Sequence, residues 1–352
     1  MFLYLIIFAI SAASTILLTP VVRTFALKIK AVESPNQRKI HKKPVPRLGG
    51  LAIYFGFLVG IFTAVIAAYF LAIKLNYHAI FGIISSGTIV LILGFLDDTM
   101  ELMPWVKFLV QIIAASIAIY FGAVIGFISN PFSGLIVLGA WSVPITLFWV
   151  VGMTNAINLI DGLDGLASGV TAIASIALFF VAVRTHQVGA AIILLALAGS
   201  ALGFLKYNFN PASIFLGDSG SLFMGFVLAC ASVVGVLKST LVIALIIPVL
   251  VLGVPIFDTA SAIVRRVRLK AHIFKADKRH IHHKLLEAGL SQREAVMAIY
   301  FICILLSCGA LVVTFMKPAE AIALFVIIFV VAAIGIMKIK ENINLKLTEG
   351  KR

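Results

Sequence analysis

The chain has 352 residues, 62% of them hydrophobic and 12% charged, with a formal net charge of +14 and a mean hydropathy of +1.15. These values exclude a soluble globular enzyme and a disordered chain and define an integral membrane protein. The positive charge does not call for nucleic acid as a partner: the basic residues flank apolar runs, where chain orientation and anionic lipid headgroups demand them.

A bilayer core of about 30 Å takes roughly 20 apolar residues in a helix. Eleven runs meet that length, at 2–20, 49–72, 79–96, 106–128, 134–154, 166–183, 188–205, 219–237, 239–262, 296–315 and 319–338. The expected fold is therefore all-α, a polytopic membrane protein of about 11 transmembrane helices. The first run reads as a retained span, because no basic residue precedes it and Arg23 follows it. Ser291 and Glu294 form a capping-box pattern at the start of the tenth. There is no internal repeat and no soluble domain, so residues 1–352 read as one domain. The stretch 296–352, two spans and a tail, carries no motif and is expected at its periphery. Cys230, Cys303 and Cys308 all sit inside apolar runs and suggest neither a disulfide framework nor a metal site.

Orientation follows from the distribution of Lys and Arg. With eleven crossings, 24 of the 28 basic residues fall on one side and only Lys74, Arg184, Lys238 and Lys317 on the other. The basic side is the cytosol by the positive-inside rule, which puts the N-terminus outside.

The polar stretches between runs share that cytosolic side: 38–50, 94–107, 154–166, 206–221 and 264–295. The first ends HKKPVPRLGG, with Lys42, Lys43 and Arg47. In GFLDD, Asp97 and Asp98 are adjacent carboxylates at a membrane edge; they repel each other and call for a cation nearby, or else simply end a helix. In NAINLIDGLDG, the residues Asn155, Asn158, Asp161 and Asp164 recur every three positions, roughly on one helical face. Gly162 and Gly165 let a ligand approach the backbone, although a plain polar turn would have the same composition. In FLGDSGS, Asp218 opens the eighth run. The helix amides there suggest an anion cradle and the carboxylate a hard oxygen for magnesium, against the simpler reading of a helix cap.

The last stretch carries Arg265 and Arg279 among seven basic residues ahead of His280, His282 and His283. The histidines are too crowded for a soft-metal site and, beside so many cations, are expected to stay largely neutral. Neutral imidazoles and arginines suit diphosphate recognition, the alternative being a charged loop on lipid headgroups. Acid cluster, anion cradle and cationic flank on one side describe magnesium-assisted phosphoryl transfer at a membrane surface. A transporter for an anionic lipid or nucleotide sugar would instead show ionisable residues deep in several spans.

HKKPVPRLGG, GFLDD, NAINLIDGLDGLASG, NFNPASIFLGDSGSLFMGF and ADKRHIHHKLL, in that order over about 38–290, closely resemble the polyprenyl-phosphate N-acetylhexosamine-1-phosphate transferases. The resemblance implies a helical bacterial plasma-membrane enzyme with a cytosolic Mg²⁺ site, Mn²⁺ being able to substitute. Such an enzyme moves a sugar phosphate from a UDP-sugar to a polyprenyl phosphate and releases UMP. Carried over by position, Asp218 and Asn158 hold the metal, and Asp97 and Asp98 lie beside the lipid phosphate, forming with His282 the catalytic group. Asp164, Asn208 and Phe215 hold the uracil ring, Phe215 by stacking, while Asp161, Lys42, Lys43 and Arg47 complete the nucleotide and phosphate pocket. Arg265, Arg279, His280 and His283 join the substrate-binding set.

Ile281 interrupts the histidine run and VPRLGG stands in the first loop. Both features are similar to the UDP-N-acetylglucosamine branch, which starts teichoic acid, O-antigen or related surface glycans, rather than to the peptidoglycan branch acting on UDP-N-acetylmuramoyl-pentapeptide. The implied partners are UDP-N-acetylglucosamine, undecaprenyl phosphate and membrane lipids. A homodimer is left open, since apolar faces toward lipid and toward a partner look alike. The family's Asp pair suggests a base or a nucleophile. A phosphate monoester with a second pKa of about 6 is already mostly dianionic at neutral pH, however, so an orienting role suits the pair better.

Overall fold

The computed structural model describes residues 2–33, 45–130, 134–237, 246–268 and 280–316, together with 320, 323–324 and 326–327. In chain order its helices are α1 (Phe2–Lys28), α2 (Gly49–Phe70), α3 (Tyr77–Met100), α4 (Pro104–Tyr120), α5 (Ser142–Ile160), α6 (Leu166–Arg184), α7 (Val188–Asn208), α8 (Gly217–Ser232), α9 (Ile246–Val251), α10 (Gly253–Arg268), α11 (Ile281–Glu287) and α12 (Gln292–Val313). Two small antiparallel hairpins interrupt the helical pattern. Val32–Glu33 (β1) pairs with Val45–Pro46 (β2), and Phe127–Asn130 (β3) with Gly134–Val137 (β4).

Among the described residues, eight helical segments are long and apolar enough to cross a bilayer. The chain is a multi-pass helical membrane protein. The difference from eleven runs has local causes. The run 106–128 yields only the 17 residues of α4, because its end is drawn into the β3–β4 hairpin with the start of the next run. What is described of the run 239–262 is divided at Leu252 between the short α9 and α10, and the last turn of α10 carries Arg265, Arg266 and Arg268. The run 319–338 falls almost wholly outside the described residues. Ser291 does cap α12, with Glu294 closing the box.

At the centre of the bundle is α8, which packs against α2, α3, α5, α6 and α7. Every residue of α8 is buried except Asp218. In a membrane, helices gain little from apolar surface alone and associate through close backbone approach and shape, so small residues gather where they cross. A Cβ on Gly94 of α3 would lie 2.5 Å from the Asp218 carbonyl. Gly50 at the start of α2 sits as tightly against Ser219 and Gly220. Deeper in, Phe223 of α8 meets Tyr54 and Phe57 of α2 edge to face, with ring centres 5.3 and 5.6 Å apart.

α12 packs against α6, α9, α10 and α11. Its Tyr300 hydroxyl donates to the Gly165 carbonyl, at 2.5 Å. α12 thus buttresses one of the polar turns.

Gly94→Ala is expected to lower stability by roughly 1–3 kcal/mol, the usual cost of overpacking. Gly87→Ala, whose new methyl would meet Phe223 at 3.3 Å, should cost much less. Thermal unfolding in detergent checks the pair; equal midpoints would show that α3 and α8 do not pack this closely.

Candidate active site

The site is assembled where the last turn of α3 meets the first turn of α8. The side chain of Asp98 is fully buried. It accepts the backbone amides of Asp218 at 2.9 Å and Ser219 at 3.0 Å. A helix begins with amides that lack partners inside it, and here a carboxylate from another helix satisfies two of them. Gly217, at φ +73, leaves room for that carboxylate, which a Cβ would strike. The expected anion cradle at the start of α8 is accordingly corrected: these amides already hold an anion, and it is Asp98. Each oxygen of Asp98 thus accepts one amide of α8.

The first polar stretch is knitted into the same junction. The Gly49 and Gly50 amides donate to the Phe215 and Leu216 carbonyls, both at 3.0 Å, and the Phe215 amide to the Pro46 carbonyl at 2.8 Å. Pinned between these bonds and β2, Arg47 places Nε 3.8 Å from Asp98 and 3.5 Å from Glu33.

Asp97 turns the other way. Its Oδ1 accepts the Leu102 amide at 2.8 Å and its Oδ2 faces Lys107 Nζ at 2.9 Å. The same ammonium lies 3.0 Å from Asp218 Oδ2. The other oxygen of Asp218 accepts from Asn158 Nδ2 at 3.1 Å, and Asn158 also reaches Ser221. Four helices, α3, α4, α5 and α8, thus meet in one chain of polar contacts. Sequence reading counted Lys107 only toward orientation. Its signal was its standing as the sole cation in the stretch that carries the Asp pair.

The turn after α5 holds the remaining acids. Asp161 has its carboxyl pushed well above the usual carboxylate range, by burial first and then by the charges of Asp218 and Asp98, with Arg47 opposing. Asp164 and Asn208 bind chain rather than open space. Asp164 accepts the Ala212 amide at 3.0 Å and Asn210 at 3.1 Å. Asn208 accepts from the Gly165 amide and Ser168 and donates to the Ile214 carbonyl. Together they tie the 161–165 turn to the loop carrying Phe215, which is itself only partly buried. Asn155 bonds Gln111 of α4 at 2.6 Å and serves packing.

The histidines arrive from α11. His282 is buried, and its ring lies where a Cβ on Gly162 would be. Burial, followed by the nearby His283, pulls its pKa down to about 4, so it is neutral near pH 7. His283 touches it at 4.3 Å between ring centres. His280 binds Asp258 of α10. Arg265 stands partly buried in the last turn of α10. Lys42, Lys43 and Arg279 lie outside the described residues.

Among the described residues no group of three or more His, Cys, Asp or Glu side chains is arranged to hold a metal ion. That suits magnesium all the same, because Mg²⁺ typically takes one or two protein carboxylates and completes its shell with water and substrate phosphates. Asp218 and Asn158 lie side by side at the rim, Asn158 turning its amide nitrogen to Asp218, and burial, with the charges of Asp218 and Asp98, raises Asp161 next to them.

Residues 80–236 match the model of glycosyl transferase family 4. The chain is 41% identical over 329 residues to a probable undecaprenyl-phosphate N-acetylglucosaminyl 1-phosphate transferase of Bacillus subtilis, covering 92% of this chain and 88% of that one. It is 35% identical over 350 residues to the decaprenyl-phosphate N-acetylglucosaminephosphotransferase of Mycobacterium tuberculosis, covering 92% and 86%. With the undecaprenyl-phosphate alpha-N-acetylglucosaminyl 1-phosphate transferase of Escherichia coli it shares 28% over 293 residues, covering 81% and 77%. The protein is thus a membrane-embedded sugar-phosphate transferase. It belongs to the glycosyl transferase family 4 group that includes these polyprenyl-phosphate enzymes.

The low pKa of His282 fixes a pH dependence. An exposed imidazole takes its proton near pH 6.5 and the buried one near 4, so the docking of α11 is fully stable above about 6.5 and weakens as pH falls toward 4. The loss should reach about 3 kcal/mol, at roughly 1.4 kcal/mol per pH unit. Amide exchange over 281–287 should quicken through that window in the parent and stay flat in His282→Gln; parallel profiles would contradict the assignment.

Proposed function

We propose that the protein transfers N-acetylglucosamine-1-phosphate from UDP-N-acetylglucosamine to undecaprenyl phosphate on the cytosolic face of the bacterial plasma membrane, releasing UMP. The observation that carries this is the junction of Asp97, Lys107, Asp218 and Asn158 at one end of the bundle, beside Asp161 and His282. The names borne by the relatives support the donor sugar and the lipid acceptor. The count of basic residues supports the cytosolic placement.

In this reading an oxygen of the acceptor phosphate attacks the β-phosphorus of the donor, and the bond from that phosphorus to the bridging oxygen of UMP breaks. Bound magnesium, held by Asp218 and Asn158, would neutralise charge on the diphosphate and on the departing UMP. No protein base is needed, because the acceptor phosphate is already mostly dianionic at neutral pH. Asp97 instead aims Lys107, whose ammonium supplies positive charge at the rim without taking part in proton transfer. Asp98 holds the first turn of α8 still, and with it the position of Asp218. Neutral His282 offers a hydrogen bond to a phosphate oxygen where a second cation would cost more to bury.

Purified protein with radiolabelled UDP-N-acetylglucosamine, undecaprenyl phosphate and Mg²⁺ should release UMP in step with labelled lipid, and chelation should stop it. Asp218→Ala should lose activity by about 100-fold or more while keeping its thermal midpoint. An unchanged magnesium response in that variant would remove Asp218 from the metal site, and failure of the parent to release UMP would end this reading.

A further inference from the structure

Asp258 lies in α10, seven residues before Arg265. In the fold it is 4% exposed, and both of its oxygens are committed. Oδ2 accepts from His280 Nδ1 at 2.7 Å and Oδ1 accepts the Ile281 amide at 2.8 Å. His280 is itself 5% exposed. One carboxylate on α10 therefore fixes both the imidazole before α11 and the first amide of that helix.

The consequence is felt further on. The rings of His280 and His282 stack with planes 4° apart and centres 5.7 Å apart. The far edge of His282 bears on Gly162, in the turn that carries Asp161 and Asp164. α11 has only seven residues and packs on α12; a helix this short does not hold its own register. The start of α11 is tied from outside, to Asp258.

We infer that Asp258 is a positioning residue for the transferase site, acting through His280 to hold His282 against the Gly162 turn. It need not touch either substrate. Its carboxylate keeps the proton of His280 on Nδ1 and fixes the plane of the ring on which His282 stacks. A buried carboxylate on an imidazole is a common means of orienting a working histidine, and its removal typically costs 10- to 100-fold, by analogy with metal-site partners. The activity readout below rests on the proposed transfer.

The test uses the full chain in detergent, assayed for UMP release, with thermal midpoints recorded for each variant. Asp258→Asn keeps an acceptor for the Ile281 amide but presents an amino group to His280. It should lower kcat/KM at least about tenfold. His280→Phe, which keeps the ring but loses the donor, should do the same. His280→Asn, whose side-chain amide can stand where Nδ1–H stood but gives His282 no ring to stack on, should fall as far. In a His282→Ala background, Asp258→Asn should cost less than about twofold more, since both act on one contact. The inference is overturned if His280→Phe retains parental activity or if Asp258→Asn exacts its full cost without His282. Should Asp258→Asn not fold, the two His280 variants decide alone. Should the parent release no UMP, the transfer reading fails, and amide exchange over 162–165 decides the positioning separately. Faster exchange than in the parent in both His280→Phe and His280→Asn supports it, and parental exchange in both refutes it.

Discussion

Two amides at the start of α8 and one carboxylate at the end of α3 hold this site in place. The interaction is favourable on two counts, because it satisfies donors that a helix cannot satisfy itself and it sets negative charge at the positive end of the helix dipole. It is also far from water, so it behaves as a fixed joint rather than a surface contact. Gly94 and Gly217 are the spatial conditions for it, one letting the backbones approach and the other leaving room for the carboxylate. Removing the carboxylate would strand two buried amides and free the turn that aims Asp218.

From that joint the electrostatics spread outward in order of burial. Asp98 is enclosed and satisfied; Asp97 and Asp218 share one ammonium at the rim; Asp161 is left with too little positive charge around it. A site balanced in this way is firm at its base and incomplete at its mouth. In the proposed reaction a magnesium-bound diphosphate would bring both the anions and the cation to such a site. The histidine side is made differently, with a neutral, buried His282 held by packing and by its anchored neighbour.

Much of this was legible in the sequence, for a physical reason. Polar residues are costly within a bilayer, so acids placed between apolar runs in consistent parity must meet at one face. The GFLDD, NAINLIDGLDG and GDSGS stretches do meet, and the histidine stretch joins them. What the sequence hid was the partner of each group. An Asp beside a helix start suggests an open anion cradle or a simple cap, and only the fold reveals that a second Asp, 120 residues earlier, fills it. Lys107 looked like one more orienting charge because its two carboxylates lie on other helices. Nothing in the sequence marks Tyr300, because the carbonyl it binds belongs to a turn 135 residues away. The hairpin at 127–137 was read as parts of two spans because hydrophobicity alone does not tell a short apolar strand from a helix end.

The claim that everything else depends on is that the aspartate pair, the GDSGS turn and the histidine helix share one membrane face. Glu101, Ser213 and Lys284 are exposed positions next to these three elements, and the described surface has one native thiol, Cys308. Single cysteines at those positions, in a chain with Cys308 replaced by Ser, can be challenged with a membrane-impermeant maleimide on oriented vesicles of each polarity. All three should react only from the cytosolic side. Modification of any one of them from the opposite side would contradict the account.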